Sequence, residues 1–266
     1  MVDLLIPGPE GKIEAKYTHN NNDDSPIVII LHPDPSKGGT MHTKIVFKLY
    51  KIFINAGFST IRFNFRGVGK SSGEFDNGEG ELSDAACVLD WLQQYNTNSK
   101  ICWVAGFSFG AWIAMQLLMR RPEINGFVSV SPPANLRDFS FLAPCPSSGL
   151  IVHGDKDNIC SFDSTKILVE KLQKQKKVDI NFKSIKGADH FYENFSTEFE
   201  DAIKEYINSV INNDIGNPNQ LLEEGNQYEL PTVVEDNLNK YNHELRKLNI
   251  SKQIKQDYLI KVLRNK

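Results

Sequence analysis

The sequence is poor in cysteine, has no long apolar run and carries little net charge, and each lack excludes a class of protein. Four cysteines among 266 residues, none in a Cys-x-x-Cys pair, argue against a disulfide scaffold and a paired-cysteine zinc site. No run approaches the ~20 apolar residues that span a bilayer, so we predict no transmembrane segment. The 30 basic and 33 acidic residues leave a formal charge of −3, which does not favour nucleic acid as a partner.

Two further absences bear on location and chemistry. Residues 1–11 lack the basic stretch and apolar core of a secretion signal, so we expect a cytoplasmic protein with reduced cysteines. Neither an HExxH motif nor an EF-hand pattern occurs in the chain. We therefore predict no metal and no other cofactor.

What the sequence does contain is an alternation of short apolar runs and helical patterns over residues 27–210. Residues 27–31 (IVIIL) are apolar throughout, which favours a strand covered on both faces. The alternation predicts right-handed βαβ units, hence an α/β fold with a mainly parallel sheet flanked by helices. The predicted strands are 12–17 (an added edge strand), 27–31, 59–65, 101–105, 127–130, 150–152 and 178–185, and the predicted helices are 44–55, 82–95, 109–119, 164–173 and 198–210.

The composition changes near residue 212, which predicts an α/β domain of residues 1–212 and a C-terminal extension of residues 213–266. The extension starts with an acidic half and ends with a basic half. Its apolar residues Ile250, Ile254, Tyr258 and Val262 recur at helical spacing, so we expect a helix. Three alternatives stay open for this extension. The helix packs on its own domain or on a second copy of the chain, or it docks on a partner or a membrane surface, or the extension is disordered.

A nucleophile-elbow pattern provides the first candidate site residue. Gly106-Phe107-Ser108-Phe109-Gly110 matches G-x-S-x-G and lies between the predicted strand 101–105 and the predicted helix 109–119. The two glycines let strand and helix approach closely, and the sharp turn lifts the serine hydroxyl off the C-terminal edge of the sheet. The pattern predicts Ser108 as a nucleophile.

A serine hydroxyl needs a general base, and that base needs an orienting carboxylate. Both follow Ser108 at predicted strand ends, in the chain order of this architecture. Asp157 comes after strand 150–152 and His190 after strand 178–185. We predict His190 as the base and Asp157 as the orienting acid, with Asp155 left open as an alternative acid.

Other residues near these strand ends fit the catalytic roles less well. His32 also follows a strand, but it precedes Ser108 in the chain. His153 is expected to hydrogen-bond within its own turn. Asp189 is adjacent to His190 in sequence, which is a poor geometry for binding the ring nitrogen.

An oxyanion hole requires two backbone N–H groups. The residue after the nucleophile, Phe109, is expected to supply the first. The loop after strand 27–31 reads His32-Pro33-Asp34-Pro35, and proline has no N–H. We therefore predict the amide of Asp34 as the second donor.

Together these segments resemble the α/β-hydrolase superfamily, in particular its dienelactone-hydrolase-like branch of small carboxylesterases. The resemblance implies a triad of Ser108, Asp157 and His190 that acts through an acyl-enzyme, with the amides of Phe109 and Asp34 as oxyanion donors. It spans about residues 27–210 and leaves the C-terminal extension outside. The matching segments are LHPDPSKGGTMHTK (31–44), RFNFRGVGKSSG (62–73), AGFSFGA (105–111), HGDKD (153–157) and GADHF (187–191).

The resemblance implies a serine hydrolase for carboxylic esters or thioesters. The short segment between the strands at 127–130 and 150–152 leaves little room for a lid. An open cleft suits small or protein-borne acyl esters. Two alternatives stay open: peptidase or acyltransferase activity on the same triad, and a non-catalytic protein of this fold that binds a partner through the C-terminal extension.

Overall fold

An eight-stranded sheet organises residues 1–216, the part of the chain that the computed structural model describes. Helices and strands alternate along most of it, as the apolar runs predict. The strands are β1 (Val2–Gly8), β2 (Gly11–Thr18), β3 (Ile27–Leu31), β4 (Ser59–Phe63), β5 (Cys102–Phe107), β6 (Gly126–Val130), β7 (Gly149–Gly154) and β8 (Ile180–Ile185). The helices are α1 (Lys44–Asn55), α2 (Glu79–Tyr95), α3 (Phe109–Arg120), α4 (Phe162–Gln173) and α5 (Ser196–Gly216).

The strand order is β1-β2-β4-β3-β5-β6-β7-β8. Strands β3 to β8 pair in parallel, whereas β2 pairs antiparallel with both β1 and β4. The predicted α/β fold with a mainly parallel sheet is therefore confirmed. Because parallel strands end at the same edge, the loops after β3, β5, β6, β7 and β8 gather there.

The edge of the sheet differs from the prediction. The strand predicted at residues 12–17 is present as β2, but β1 pairs outside it and forms the edge itself. Only Ile6 of β1 is buried, so the segment lacks the apolar alternation that identifies a half-buried strand.

Both faces of the sheet are covered, which explains the uninterrupted apolar sequence of β3. Ile27, Ile29 and Leu31 pack into one core with residues of α2, α3 and α4. Val28 and Ile30 pack into the other core with residues of α1 and α5. Successive side chains of a strand point to opposite faces, so a strand between two helical layers is apolar at every position.

Helix α2 begins three residues before the predicted start at Leu82. The carboxylate of Glu81 accepts the N–H groups of Gly78 at 2.7 Å and Asp76 at 3.0 Å. These bonds cap the first turn, so the helix starts at Glu79 within a segment without apolar periodicity.

The segment between β6 and β7 and the extent of helix α5 bear on the predicted lid and the predicted domain boundary. The described residues 131–148, between β6 and β7, contain no helix or strand, in agreement with the prediction of little or no lid. Helix α5 continues to Gly216, past residue 212, and the division into two domains stays a prediction. The helix predicted around Ile250–Val262 lies outside the described residues. Among the described residues, no helix is both long and apolar enough to cross a membrane.

Candidate active site

Ser108 occupies a strained turn between β5 and α3. Its backbone angles are φ 55° and ψ −120°, outside the regions that a non-glycine residue ordinarily adopts. The turn is held by a hydrogen bond from its N–H to the carbonyl of Val130 at 2.9 Å. A Cβ atom on Gly106 would clash with the carbonyl of Gly110, so the close approach of strand and helix requires glycine.

His190 and Asp157 come together from the loops after β8 and β7. His190 Nδ1 lies 2.7 Å from Asp157 Oδ2, and the Asp157 side chain is 0% exposed. The other oxygen, Oδ1, accepts the N–H groups of Ile159 at 2.9 Å and Cys160 at 2.8 Å. Burial disfavours the charged carboxylate, but the bonds from His190 and from these amides lower the pKa of Asp157 overall.

The imidazole of His190 is also fixed by aromatic contacts. Its ring centroid lies 4.8 Å from that of Phe107, the last residue of β5, and 5.1 Å from that of Phe191. Phe107 directly precedes Ser108 in the chain. The ring of the predicted base therefore packs against the strand that carries the predicted nucleophile.

The hydroxyl of Ser108 has one polar neighbour that sequence reasoning missed. Ser108 Oγ lies 4.0 Å from Cys160 Sγ, and among the described residues it makes no hydrogen bond to His190. Cys160 in turn presents its sulfur within 4.8 Å of ligand atoms of Asp157 and His190. The three predicted triad residues thus lie around one buried thiol, whose only sequence signal is its position three residues after Asp157.

The alternative acid, Asp155, has a different partner. Its Oδ1 accepts the N–H of Gly187 at 2.6 Å, which ties the loop after β7 to the loop after β8. Asp189 accepts the N–H of Glu193 at 3.0 Å. Among the described carboxylates, Asp157 is the one that binds the ring of His190.

His153 lies beneath the same loop and is completely buried. Its Nε2 is 3.0 Å from the carbonyl oxygen of Cys160 and 3.4 Å from Asp157 Oδ2. Since a carbonyl oxygen only accepts, Nε2 carries the proton, and Nδ1 is buried without a hydrogen-bond partner. Burial lowers the pKa of His153, so we assign the neutral ring.

The predicted oxyanion donors lie on neighbouring elements. Phe109 is the first residue of α3, so its N–H has no acceptor within the helix. The N–H of Asp34 donates no hydrogen bond to the described part of the chain. A Cβ atom on Gly110 would clash with the carbonyls of Leu31 and His32, so α3 starts directly against the segment that leads to Asp34.

The side chain of Asp34 is engaged in its own turn. Its carboxylate accepts the N–H of Ser36 at 2.9 Å and the hydroxyl of Ser36 at 2.7 Å. Its carbonyl accepts the N–H groups of Lys37 and Gly39 at 3.1 and 2.9 Å. These bonds fix the backbone of the loop that presents the Asp34 amide.

The buried ring of His32 connects this loop to the segment after β4. Its Nδ1 is 2.7 Å from the carbonyl oxygen of Pro33, and its Nε2 accepts the N–H of Phe65 at 3.0 Å. Nδ1 therefore carries the only ring proton. Burial, the main cause, lowers the pKa of His32 to about 4. The ring is neutral and serves to connect the ends of β3 and β4.

Comparison with known proteins shows what this chain is related to. Residues 9–255 match the family model of peptidase S15, described as X-Pro dipeptidyl-peptidase. Protein RP471 of Rickettsia prowazekii is 49% identical over 217 residues, which cover 80% of this chain and 91% of that protein.

Two crystal structures share the fold and are similar in sequence. A protein of unknown function from Agrobacterium tumefaciens is 50% identical with a TM-score of 0.78, over 80% of this chain and 98% of that one. A serine hydrolase without a lid from Xanthomonas campestris is 29% identical with a TM-score of 0.70, over 77% and 92% of the two chains. The α/β-hydrolase superfamily is confirmed, while the dienelactone-hydrolase-like branch stays a prediction. The chain belongs to the X-Pro dipeptidyl-peptidase (S15) family of the α/β-hydrolase superfamily, a superfamily that includes serine hydrolases.

Proposed function

We propose that this chain is a serine hydrolase that cleaves small carboxylic esters or thioesters through an acyl-enzyme on Ser108. One observation carries the proposal: a His190–Asp157 pair joined at 2.7 Å, at the same sheet edge as the strained turn of Ser108. Strain at a non-glycine residue persists only where the surrounding structure enforces it, and it is concentrated at functional sites.

In the first half of the reaction, Ser108 Oγ attacks the acyl carbon and His190 Nε2 takes the hydroxyl proton. The contact of Nδ1 with Asp157 supports this assignment, because a proton on Nδ1 leaves Nε2 as the basic atom. The negative oxygen that develops on the substrate accepts the N–H groups of Phe109 and Asp34. His190 then gives the proton to the leaving alcohol or thiol.

In the second half, water replaces the leaving group. His190 takes a proton from the water, the resulting hydroxide attacks the acyl carbon, and the ester bond to Ser108 breaks. The proton returns to Ser108 Oγ and the acid is released. Apo geometries of catalytic hydrogen bonds are often long, so we expect the Ser108–His190 contact to form when substrate binds.

The surroundings of the site favour an uncharged, apolar acyl group. Leu136, Ile159 and Phe191, in the loops after β6, β7 and β8, are 55%, 41% and 44% exposed. Exposed apolar side chains around a catalytic edge offer contact area to an acyl chain. The short β6–β7 segment keeps the cleft open, so the ester can be small or attached to a protein.

Peptidase activity is the second candidate, because the matching family model describes X-Pro dipeptidyl-peptidases. The same Ser108 and His190 would serve, with His190 protonating a leaving amine in place of an alcohol. Acyltransferase activity needs only another nucleophile in place of water. The chemistry of the triad is the same in these reactions, so only the turnover of different substrates can distinguish them.

The test is a substrate series on the full chain: p-nitrophenyl esters of short to medium acyl chains against Xaa-Pro p-nitroanilides, with fluorophosphonate labelling in parallel. We expect ester turnover and labelling, both abolished by Ser108→Ala. The matched control is Ser129→Ala, which removes a buried hydroxyl without a hydrogen-bond partner and should leave both intact. Faster cleavage of the anilides would favour the peptidase. A chain that neither labels nor turns over any substrate would overturn the proposal.

A further inference from the structure

Cys160 belongs to a group of side chains whose composition the proposed hydrolysis does not explain. One ligand atom each of Asp157, Cys160 and His190 lies within 4.8 Å of the others. The hydroxyl of Ser108 is 4.0 Å from the sulfur. Hydrolysis uses the carboxylate, the imidazole and the hydroxyl, but it has no role for the thiol.

The thiol is neither a nucleophile nor part of a disulfide. All four cysteines are free, and Cys160 is 0% exposed. Burial raises the pKa of Cys160 to about 12, so almost no thiolate exists at neutral pH. A metal ion can take up such a thiol, because coordination replaces the proton and releases it to solvent.

A thiolate, an imidazole and a carboxylate are the donor types that Zn²⁺ binds. Mg²⁺ and Ca²⁺ prefer all-oxygen sites, so the sulfur and nitrogen donors select the zinc class of ions, which includes Cd²⁺. Zinc bonds of about 2.0–2.3 Å require donor atoms somewhat closer together than the outer limit of 4.8 Å found here. The loop after β7 must therefore close slightly around the ion.

We propose that Asp157, Cys160 and His190 bind Zn²⁺ and that the bound ion reversibly blocks the active site. Binding is independent of the proposed function, whereas inhibition rests on it. The ion draws on the lone pair of the imidazole and on the carboxylate that orients it. Ser108 then has no base to take its proton, so acylation stops.

The first test measures binding without any enzymatic readout. The full chain is titrated with Cd²⁺, and the ultraviolet charge-transfer band of a cadmium thiolate is recorded. We expect the band in the wild type and in Ser108→Ala, and its loss in Cys160→Ala. The matched control is Cys145→Ala, another buried thiol, whose sulfur contacts the carbonyl of Ser147 at 3.4 Å. An equal band in wild type and Cys160→Ala would overturn the site.

The second test measures inhibition. Zn²⁺ is titrated against fluorophosphonate labelling and ester turnover, and EDTA should restore both. Loss of a ligand is expected to raise the half-inhibiting Zn²⁺ concentration in Cys160→Ala by at least about tenfold, when the turnover of each protein is normalised to its own rate in the absence of zinc. Inhibition of equal potency in both proteins would overturn the role of Cys160.

Two further measurements keep the outcomes separate. If Cys160→Ala does not fold, His190→Ala replaces it in the cadmium titration, where loss of the third ligand should weaken binding by a similar factor. Unaltered binding there would overturn the site. If the wild type shows no hydrolysis, the proposed function fails, but the cadmium band still decides whether the metal site exists.

Discussion

His153 Nε2 lies 3.4 Å from Asp157 Oδ2, so the carboxylate that binds His190 also faces a second, fully buried imidazole. The same nitrogen is 3.0 Å from the carbonyl oxygen of Cys160. This N–H donates to the carbonyl at one end of the turn from Asp157 to Cys160 and lies close to the carboxylate at the other end. We therefore expect His153 to position the carboxylate of Asp157, the proposed orienting acid.

Replacing His153 should lower turnover through this positioning effect. In His153→Phe the carbonyl of Cys160 loses its donor, and a shift of the Asp157 turn misplaces His190. We expect kcat to fall roughly 10- to 100-fold, with KM little changed. The measurement is kcat per fluorophosphonate-labelled site, which excludes unfolded protein.

His153→Gln is the matched variant, because its side-chain amide can donate to the same carbonyl. It should recover most of the lost turnover. If Phe and Gln variants behave alike per labelled site, His153 acts only on folding.

Asp157→Asn should abolish most activity while keeping the shape of the side chain. An amide cannot hold His190 in the tautomer that leaves Nε2 basic, and in triads this change costs on the order of 10⁴ in kcat. Asp155→Asn is the control, because Asp155 binds the N–H of Gly187 and not the ring of His190. Equal losses in the two variants, measured on the best ester, would contradict the assignment of Asp157.

The order of the strands along the chain explains why the grouping of the candidate site residues could be predicted from sequence. Parallel strands end at one edge, so Ser108, Asp157 and His190, each after a strand, had to lie at the same edge of the sheet. The apolar run of β3 likewise follows from burial on both faces. These inferences use periodicity and order, which sequence displays directly.

What could not be predicted depends on the path of individual turns. The 4.0 Å approach of Cys160 to Ser108 arises from how residues 157–160 fold around the carboxylate, and no periodic pattern encodes it. Strand β1 was not predicted for another reason. It is held by its pairing with β2, and because only Ile6 is buried its sequence lacks the pattern of a half-buried strand.

Gly110→Ala should damage both stability and the site. The added Cβ would clash with the backbone carbonyls of Leu31 and His32, and backbone atoms cannot move aside as a flexible side chain can. Overpacking of this kind costs about 1–3 kcal/mol or more. We expect a lower Tm and slower fluorophosphonate labelling, because α3 and the Asp34 loop are forced apart.

Gly38→Ala is the control for Gly110→Ala. A Cβ on Gly38 meets nothing within 4 Å, and only its φ of 81° opposes the change. Its cost should be about 1–2 kcal/mol, with labelling unaffected. If labelling slows as much in Gly38→Ala as in Gly110→Ala, the contact of α3 with β3 does not control the site.

His32 should make the folded chain sensitive to mild acid. Its pKa falls from 6.5 to about 4 on folding, mainly because of burial. Between these values the unfolded chain binds a proton that the folded chain excludes. The free energy of unfolding is therefore highest above pH 6.5 and decreases as pH falls towards 4, by about 3 kcal/mol in full.

Urea unfolding of wild type and His32→Gln at pH 7, 6 and 5 measures this contribution. Glutamine does not titrate, and its amide oxygen can accept the N–H of Phe65 that His32 Nε2 now binds. The wild type should lose more stability than the variant between pH 7 and 5. Burial also lowers the pKa of His153, so a further pH dependence remains in both proteins and cancels in the difference. Identical pH dependence would mean that His32 is protonated in the folded chain, and that its ring does not hold the Asp34 loop as a neutral acceptor.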